Sequence, residues 1–417
     1  MKSVARAVVS TSDDLVYATQ DAGVREIVVA HSVDDVPSLM LSPAQTLRGH
    51  DANVTITFRD GSDGLQVSSD NVVSDLSLRA SPQVRAIFNN TNVPTLGRVV
   101  LRDLTVVGRV QILARDRLRE GHLEVHHLDI VSADAHAESE RPDGYGVSVR
   151  QGAFTVWNMQ SDDTSLLTAD LRGLSAGRLG RPVFGSGIFL SGAGDGGGWL
   201  EVQRLETEGV YSDGQIPQGT ADQIAVGVGT LTGARVDVVR NHGPVVTYGV
   251  NDMALDNWGV VDRWVAAEKV TTYGSSAIGF VNFGLLSELH LDAPIETFGA
   301  GSRGFNVYEG KVSAACFDRI VTHGDGAVGV QISQPIREFI VRRGIETFGG
   351  TGPSLVKGVL QNLSAIALSI KPGGSIEAMK IEGGLRTNAR GVSPLEQQGS
   401  VRTMSIAGGC SSATKAE

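Results

Sequence analysis

The chain has 417 residues, 41% of them hydrophobic, which suits two or three ordinary domains or one long repeat array. Its formal net charge of −10 and the lack of a long basic run argue against nucleic acid as a partner, and they disfavour a strongly anionic polymer as ligand. The 52 glycines favour many tight turns, the 5% aromatic content implies an aliphatic core, and the two cysteines, Cys316 and Cys410, are too few for a disulfide framework and read as free thiols.

The opening "MKSVARAVVSTSDDLVYATQ" has a short basic start but no apolar run of signal-peptide length. No stretch is apolar for long enough to span a membrane. The expectation is a cytoplasmic protein without membrane contact, or a secreted one if a leader has been removed. "SDDLVYATQDAG" (12–23) predicts a short capping helix, with Ser12 or Asp13 as N-cap and Gly23 as its end. Its Leu15, Val16 and Ala18 would close one end of a core. Residues 1–36 thus form a cap with this helix and a first strand.

From 37 to 408 the pattern is one of short strands and glycine turns. It is irregular to about 238, regular from about 239 to 360, and closes with last rungs to 408. In the irregular part, "LTVVG" (104–108), "IVSAD" (130–134) and "LETEG" (205–209) take the place of a motif that becomes regular later, and "LRTNA" (385–389) takes it again near the end. Two insertions, 133–144 and 210–223, should project from one edge and supply binding walls. "LEVHHLDI" places His126 and His127 on opposite strand faces, so they cannot chelate one metal together. "GAGDGGG" (192–198) lacks the Lys-Ser/Thr of a phosphate loop and reads as a connection.

In the regular part, "IETFG" occurs at 295–299 and 345–349, with near-copies ending at Gly249, Gly274 and Gly324. The five glycines are 25 residues apart. Residues one period apart form columns: Trp264, Leu289, Ala314 and Phe339; Ala266, Leu291, Cys316 and Val341; Val245, Val270, Ile295, Ile320 and Ile345. Each is apolar or small, with polar residues alternating, which is the period of strands with one buried face. A second strand after each glycine gives the inward column Leu255, Phe280, Phe305, Val330 and Leu355. Strands repeating at one turn length stack in parallel, about 4.8 Å apart. The fold class is therefore all-β, a right-handed parallel β-helix (a solenoid) with rungs of about 25 residues. The column Thr247, Thr272, Thr297, Thr322 and Thr347 fits an inward corner ladder whose hydroxyls bond along the stack, and the repeat glycines serve as turns. Residues 409–417 read as a disordered tail.

The segment 37–78, "PSLMLSPAQTLRGHDANVTITFRDGSDGLQVSSDNVVSDLSL", resembles the opening rungs of the pectate-lyase-like superfamily. The resemblance continues as rung architecture over nearly the whole chain, and it is specific for fold rather than activity. It implies a sugar ligand, since most members act on carbohydrate. The Asn-Thr-Asp, Asp-Asp and Gly-His-Gly pattern of polygalacturonases is not present. Neither are the aspartate cluster and paired arginines of pectate lyases, so neither activity is implied.

Two outward columns carry the candidate chemistry. Tyr248, Tyr273, Phe298, His323 and Phe348 form either a stacking platform for sugars or a packed corner ladder, and regularity over five rungs favours the ladder. Glu296 and Glu346 flank His323 two rungs apart, roughly 10 Å by backbone, near the carboxyl separation of an inverting glycosidase. On the following strand Asp256, Val281, Asn306 and Gln331 align beside Trp258, Phe283, Tyr308 and Ser333. A polar strip beside an aromatic strip is how carbohydrate grooves are built. Asn257 and Asn282 read as an inward ladder. Charges at corners, Arg303, Asp318, Arg319 and Asp325, are ordinarily solvated or paired.

These columns lead to a carbohydrate-active enzyme, a hydrolase or transferase acting on a glycosidic bond. Asp256, Asp252 and Glu296 are the candidate carboxylates. Trp258, Asn306, Tyr308, Gln331, Phe283, His323 and Arg303 are the candidate substrate contacts. No metal or cofactor is required. The alternatives are a non-catalytic polysaccharide-binding or scaffold β-helix, as a homo-oligomer such as a trimer, and a polysaccharide lyase.

Overall fold

A computed structural model describes residues 5–194, 196–356 and 359–412. Asp195 in the 192–198 connection and residues 413–417 of the tail lie outside them. The chain forms a right-handed parallel β-helix. A regular rung has three strands, for example the short Val270–Thr272, the middle Ile278–Asn282 and the long Leu285–Leu291. Short and long strands join a 25-stranded sheet, and middle strands a 15-stranded sheet. Register is kept from rung to rung: Val270 pairs with Ile295, Ile295 with Ile320, and Ile320 with Ile345. One continuous, mainly aliphatic core runs up the inside, with Trp264, Phe280, Phe305, Phe317 and Phe339 in contact within it.

The five repeat glycines are there for a different reason from the one expected. None has a positive φ. A Cβ added at Gly274, Gly299, Gly324 or Gly349 would overlap the carbonyl oxygen of the repeat glycine one rung earlier. The column is glycine because successive backbones touch there. The left-handed turn residue comes two positions later, at Asn251 and Ser276 (φ 57° and 56°) and at Gly301 and Gly326. A second small column, Gly227, Ala254, Gly279, Gly304, Gly329 and Ala367, faces inward, because its neighbours' branched side chains (Ile295, Ile320, Ile345) fill the space a larger residue would need.

Several expected columns shift. Gly310 (φ 68°) adds a residue before the long strand Lys311–Phe317. Leu289 therefore pairs with Ala315, not Ala314, and Leu291 with Phe317, not Cys316. The corner that follows is shorter and restores the period at Ile320. Cys316 points outward and is half-buried, and both cysteines are free. The inward column continues from Val330 to Leu368. Leu355 belongs instead to an antiparallel hairpin, Thr351–Val356 with Val359–Ser364, that interrupts the regular rungs. In the irregular part Leu205 pairs with Val239 and Leu104 with Leu128, so both belong to the long strand. Ile130 and Val210 hold the "IETFG" isoleucine position. There the long and short strands run on as one, as in Thr95–Val107 and Glu120–Ser132. They bend at a left-handed residue in register: Asp75, Asp103 and His127, with φ of 56°, 52° and 54°, types that tolerate it better than most.

The threonines are buried, but their hydroxyls do not bond along the stack. Thr322 donates to Ala327 O at 2.9 Å, Thr347 to Ala365 O at 2.5 Å, and Thr297 accepts from Ser302 at 2.8 Å. Each ties down the turn after its own strand. The helix is Ser12–Gln20, N-capped by Thr11, whose side chain accepts from Asp14 N, and C-capped by Asp21 rather than Gly23. Leu15 and Ala18 are buried in the core and Val16 packs against it. The stack begins before residue 37, since Arg6–Val9 pairs in parallel with Glu26–Val29. It also extends past 408, since Cys410–Ser412 pairs with Leu385–Thr387.

Gly274→Ala should lower unfolding stability by at least about 2 kcal/mol, because rigid backbone cannot yield to the new methyl group. Gly350→Ala, whose Cβ would meet only Asp325 Oδ1 at ordinary contact distance, should change it by less than about 0.5 kcal/mol. Chemical denaturation of both variants checks the contrast.

Candidate functional site

The middle strands place their outward residues as the alternation implies. Asp256 pairs with Val281, Val281 with Asn306, and Asn306 with Gln331. Asn257 and Asn282 point inward and form the expected ladder, with Asn257 Nδ2 donating to Asn282 Oδ1 at 2.8 Å. The outward strip, however, does not face solvent. The insertion after residue 133 folds down over it: Asp143–Gly144 pairs with Val147–Val149, which continues beside Gln223 and Ile224. The 351–364 hairpin closes the other end, with Ser354 donating to Gly301 O at 2.9 Å. Val149, Met253, Trp258, Ile278, Val281 and Tyr308 belong to a second apolar cluster on this face, with Phe283 packed against it.

The polar candidates are trapped in that layer. Asp256 is 0% exposed. Its Oδ2 accepts from Trp258 Nε1 at 3.0 Å, and its Oδ1 has no partner. Burial pushes its carboxyl well above the usual range, opposed only by the Trp258 bond. Asp252 is equally buried. Its Oδ2 ties two turns together by accepting from Gly249 N at 2.8 Å and Gly214 N at 3.1 Å. Burial raises it to about 8, despite those two bonds. Asn306 is buried with neither side-chain atom paired, and Gln331 is buried beside it. Glu296 sits elsewhere, on the short strand Ile295–Thr297 of the other sheet. It is ion-paired to Lys269 and to His323, the latter at 2.8 Å. Partial burial pushes it upward, but those two partners prevail and hold it below its usual value. The three candidate carboxylates therefore do not share a site. Glu346 is likewise engaged, with Arg319 at 2.6 Å.

The other aromatic column is a continuous stack. Ring centroids are 5.4 Å apart for Tyr248–Tyr273, 5.1 Å for Tyr273–Phe298, 4.6 Å for Phe298–His323 and 5.1 Å for His323–Phe348. His323 is a rung of this ladder, with its imidazole bonded to Glu296.

An open concave feature lies where the insertion meets the middle strands. An open groove of about 720 Å³ is lined by Trp157, Trp199, Trp258, Tyr145, Phe283 and Asp143, with glycines along its floor. Trp258 lies edge-on to Tyr145 at 5.1 Å, and Tyr145 stacks on Phe283 at 4.6 Å. Trp157 Nε1 donates to Gly192 O at 3.1 Å. The Arg235 guanidinium covers one face of Trp199 at 3.9 Å. No family model, curated protein or solved structure matches the chain. The groove must therefore be judged on its own chemistry. Among the described residues no cluster of three or more His, Cys, Asp and Glu could hold a metal ion, and no helix is long and apolar enough to cross a membrane.

The sequence pointed to Trp258 and Phe283 but missed Tyr145, Trp157, Trp199 and Asp143. These four come from the irregular half, where no period aligns them. For Asp143 and the adjoining Tyr145 the one available signal was the insertion at 133–144, expected to form a wall but not to fold down over the sheet; Trp157 and Trp199 lie on strands outside it.

Asp252 generates a pH test. Its unfolded value is 3.8 and its folded value about 8, so the folded chain holds the proton more tightly. Its contribution to stability is fully present below about pH 4 and is lost as pH rises toward about 8, at up to ~1.4 kcal/mol per pH unit. Asp256 acts in the same direction. Asp252→Asn should flatten part of this decline, and Asp252→Asn with Asp256→Asn should flatten more of it. Denaturation midpoints measured between about pH 5 and about pH 8 decide it. An unchanged slope in both variants contradicts the assignment.

Proposed function

We propose that the protein binds an oligo- or polysaccharide along the open groove beside the folded-over insertion. The observation that carries this reading is the convergence of three of the chain's four tryptophans, with Tyr145 and Phe283, on one cleft of about 720 Å³. Trp157 and Trp258 are only 7% and 4% exposed and wall the cleft from within the second apolar cluster, so the rings that a sugar can reach are Trp199, Tyr145 and Phe283. Sugar rings present C–H faces to aromatic rings and hydroxyls to polar groups at the edge. Here the Asp143 carboxylate and the backbone of the glycine-rich floor are the polar edge. The resemblance to the pectate-lyase-like superfamily supports a sugar ligand by analogy.

The groove's chemistry favours binding over acid/base cleavage. Glycosidases place two carboxyl groups about 5–9.5 Å apart across the scissile bond. Of the described residues that line this groove, Asp143 alone bears a carboxylate. Asp256 lies behind Trp258, bonded to the indole and closed to solvent.

Trp199→Ala removes a partly exposed ring that lies outside the main core cluster. It should weaken binding of a recognised oligosaccharide by about five- to tenfold, equivalent to about 1 kcal/mol. Asp256→Asn should leave affinity within about twofold, since the side chain makes no ligand contact. An oligosaccharide library read by calorimetry identifies the ligand. Chromatography of the same incubations shows whether any is cleaved. Cleavage that Asp256→Asn abolishes would replace the binding reading with an enzymatic one, and no binding by any library member would overturn both.

A further inference from the structure

On the far side of Tyr145 from the open groove, a smaller cavity of about 150 Å³ lies between the middle strands and their two covers. Its walls include Val147, Ile224, Met253, Ile278, Val281 and Leu355. Arg303 lines it as well. In the stack Arg303 occupies a column whose neighbours on successive rungs, Met253, Ile278 and Val328, are all apolar. Folding alone asks for another apolar residue at this position.

The guanidinium is 1% exposed. Its Nη1 donates to Gly301 O at 3.3 Å and to Leu355 O at 3.4 Å, both long. Nε and Nη2 have no partner. Among the described residues no carboxylate forms an ion pair with it. Glu309, also on the lining, accepts from Gln334 Nε2 at 3.0 Å. A guanidinium stays charged at any physiological pH, and burying it without a counter-charge is strongly unfavourable. Nε and Nη2 together form one edge of the guanidinium fork, the edge that takes a carboxylate with two parallel hydrogen bonds.

We infer that this cavity is a binding site for a small carboxylic acid with an apolar, ring-sized body. The carboxylate is held by Nε and Nη2 of Arg303, and the body lies among Ile278, Val281 and Met253. An apolar cavity of about 150 Å³ accommodates benzene, so benzoate is a suitable probe. The site shares Tyr145 and Phe283 with the carbohydrate groove but is otherwise lined by different residues, and it does not depend on that reading.

The test is calorimetric titration of the full chain with benzoate, with its neutral analogue benzyl alcohol, and with inorganic phosphate. The wild type should bind benzoate at one site, at least about tenfold more tightly than either of the others, as a charge-assisted bidentate contact requires. Arg303→Met should fold, since it removes an unpaired buried charge, and should lose the preference for benzoate over benzyl alcohol. Ile278→Phe, which fills the cavity and keeps Arg303, should lose benzoate binding. It also decides the matter if Arg303→Met does not fold. The inference is overturned if wild type does not bind benzoate, if benzyl alcohol or phosphate binds equally well, if Arg303→Met keeps the preference, or if Ile278→Phe binds benzoate as before.

Discussion

Close stacking of identical rungs governs this molecule. Parallel strands sit about 4.8 Å apart, so each side chain has its own counterpart as nearest neighbour above and below. Where the backbones themselves touch, only glycine is admitted, as at Gly274 and Gly299. Where branched side chains crowd the interior, only glycine or alanine fits opposite them. Elsewhere the constraint rewards groups that associate with their own kind. Rings from Tyr248 to Phe348 stack face to face, Asn257 bonds Asn282, and aliphatic columns fill the core. The period in the sequence is the written form of this geometry.

The same constraint explains why the outward face of the middle sheet is unusual. A solenoid flank is ordinarily solvated, and its polar residues cost nothing. Here the 133–149 insertion and the 351–364 hairpin cover the flank and turn it into a second apolar layer. Asp256, Asn306 and Arg303, which would be unremarkable in water, become buried groups with unpaired atoms. Such atoms are costly, and their concentration in one covered patch marks where the chain departs from what stability alone requires.

The fold was legible because a buried face repeats at strand period and every rung repeats at 25 residues. The columns leave the period where one residue is added and another removed within a single rung. Gly310 moved the inward positions from Ala314 and Cys316 to Ala315 and Phe317; the repeat glycines at 299 and 324 keep the period and hide the shift, although Gly284 and Gly310 are 26 residues apart. Leu355 falls on the period without belonging to the column, because a hairpin of alternating residues mimics a rung strand. Alternation gave the direction of Asp256 and Asn306 correctly but not their surroundings, and Arg303, expected as a solvated or paired corner charge, opens the strand Arg303–Val307 and is buried. Tyr145 donates to Phe283 O from 138 residues away, and no local pattern carries a contact of that range.

This asymmetry bears on where function resides. The regular half presents the same groups on every rung, which suits a scaffold and gives a ligand no unique address. A unique site requires different groups at fixed offsets, and those arise where the period breaks. Trp157 and Trp199 lie in irregular rungs, Tyr145 on the insertion, and Trp258 and Phe283 on the first regular rungs beside them. The groove thus forms at the junction of the two regimes: the regular rungs hold the floor rigid, and the irregular ones supply rings that no column repeats. The arginine cavity follows the same logic from the other end, where the 351–364 hairpin interrupts the period and closes over a column that Arg303 alone makes polar.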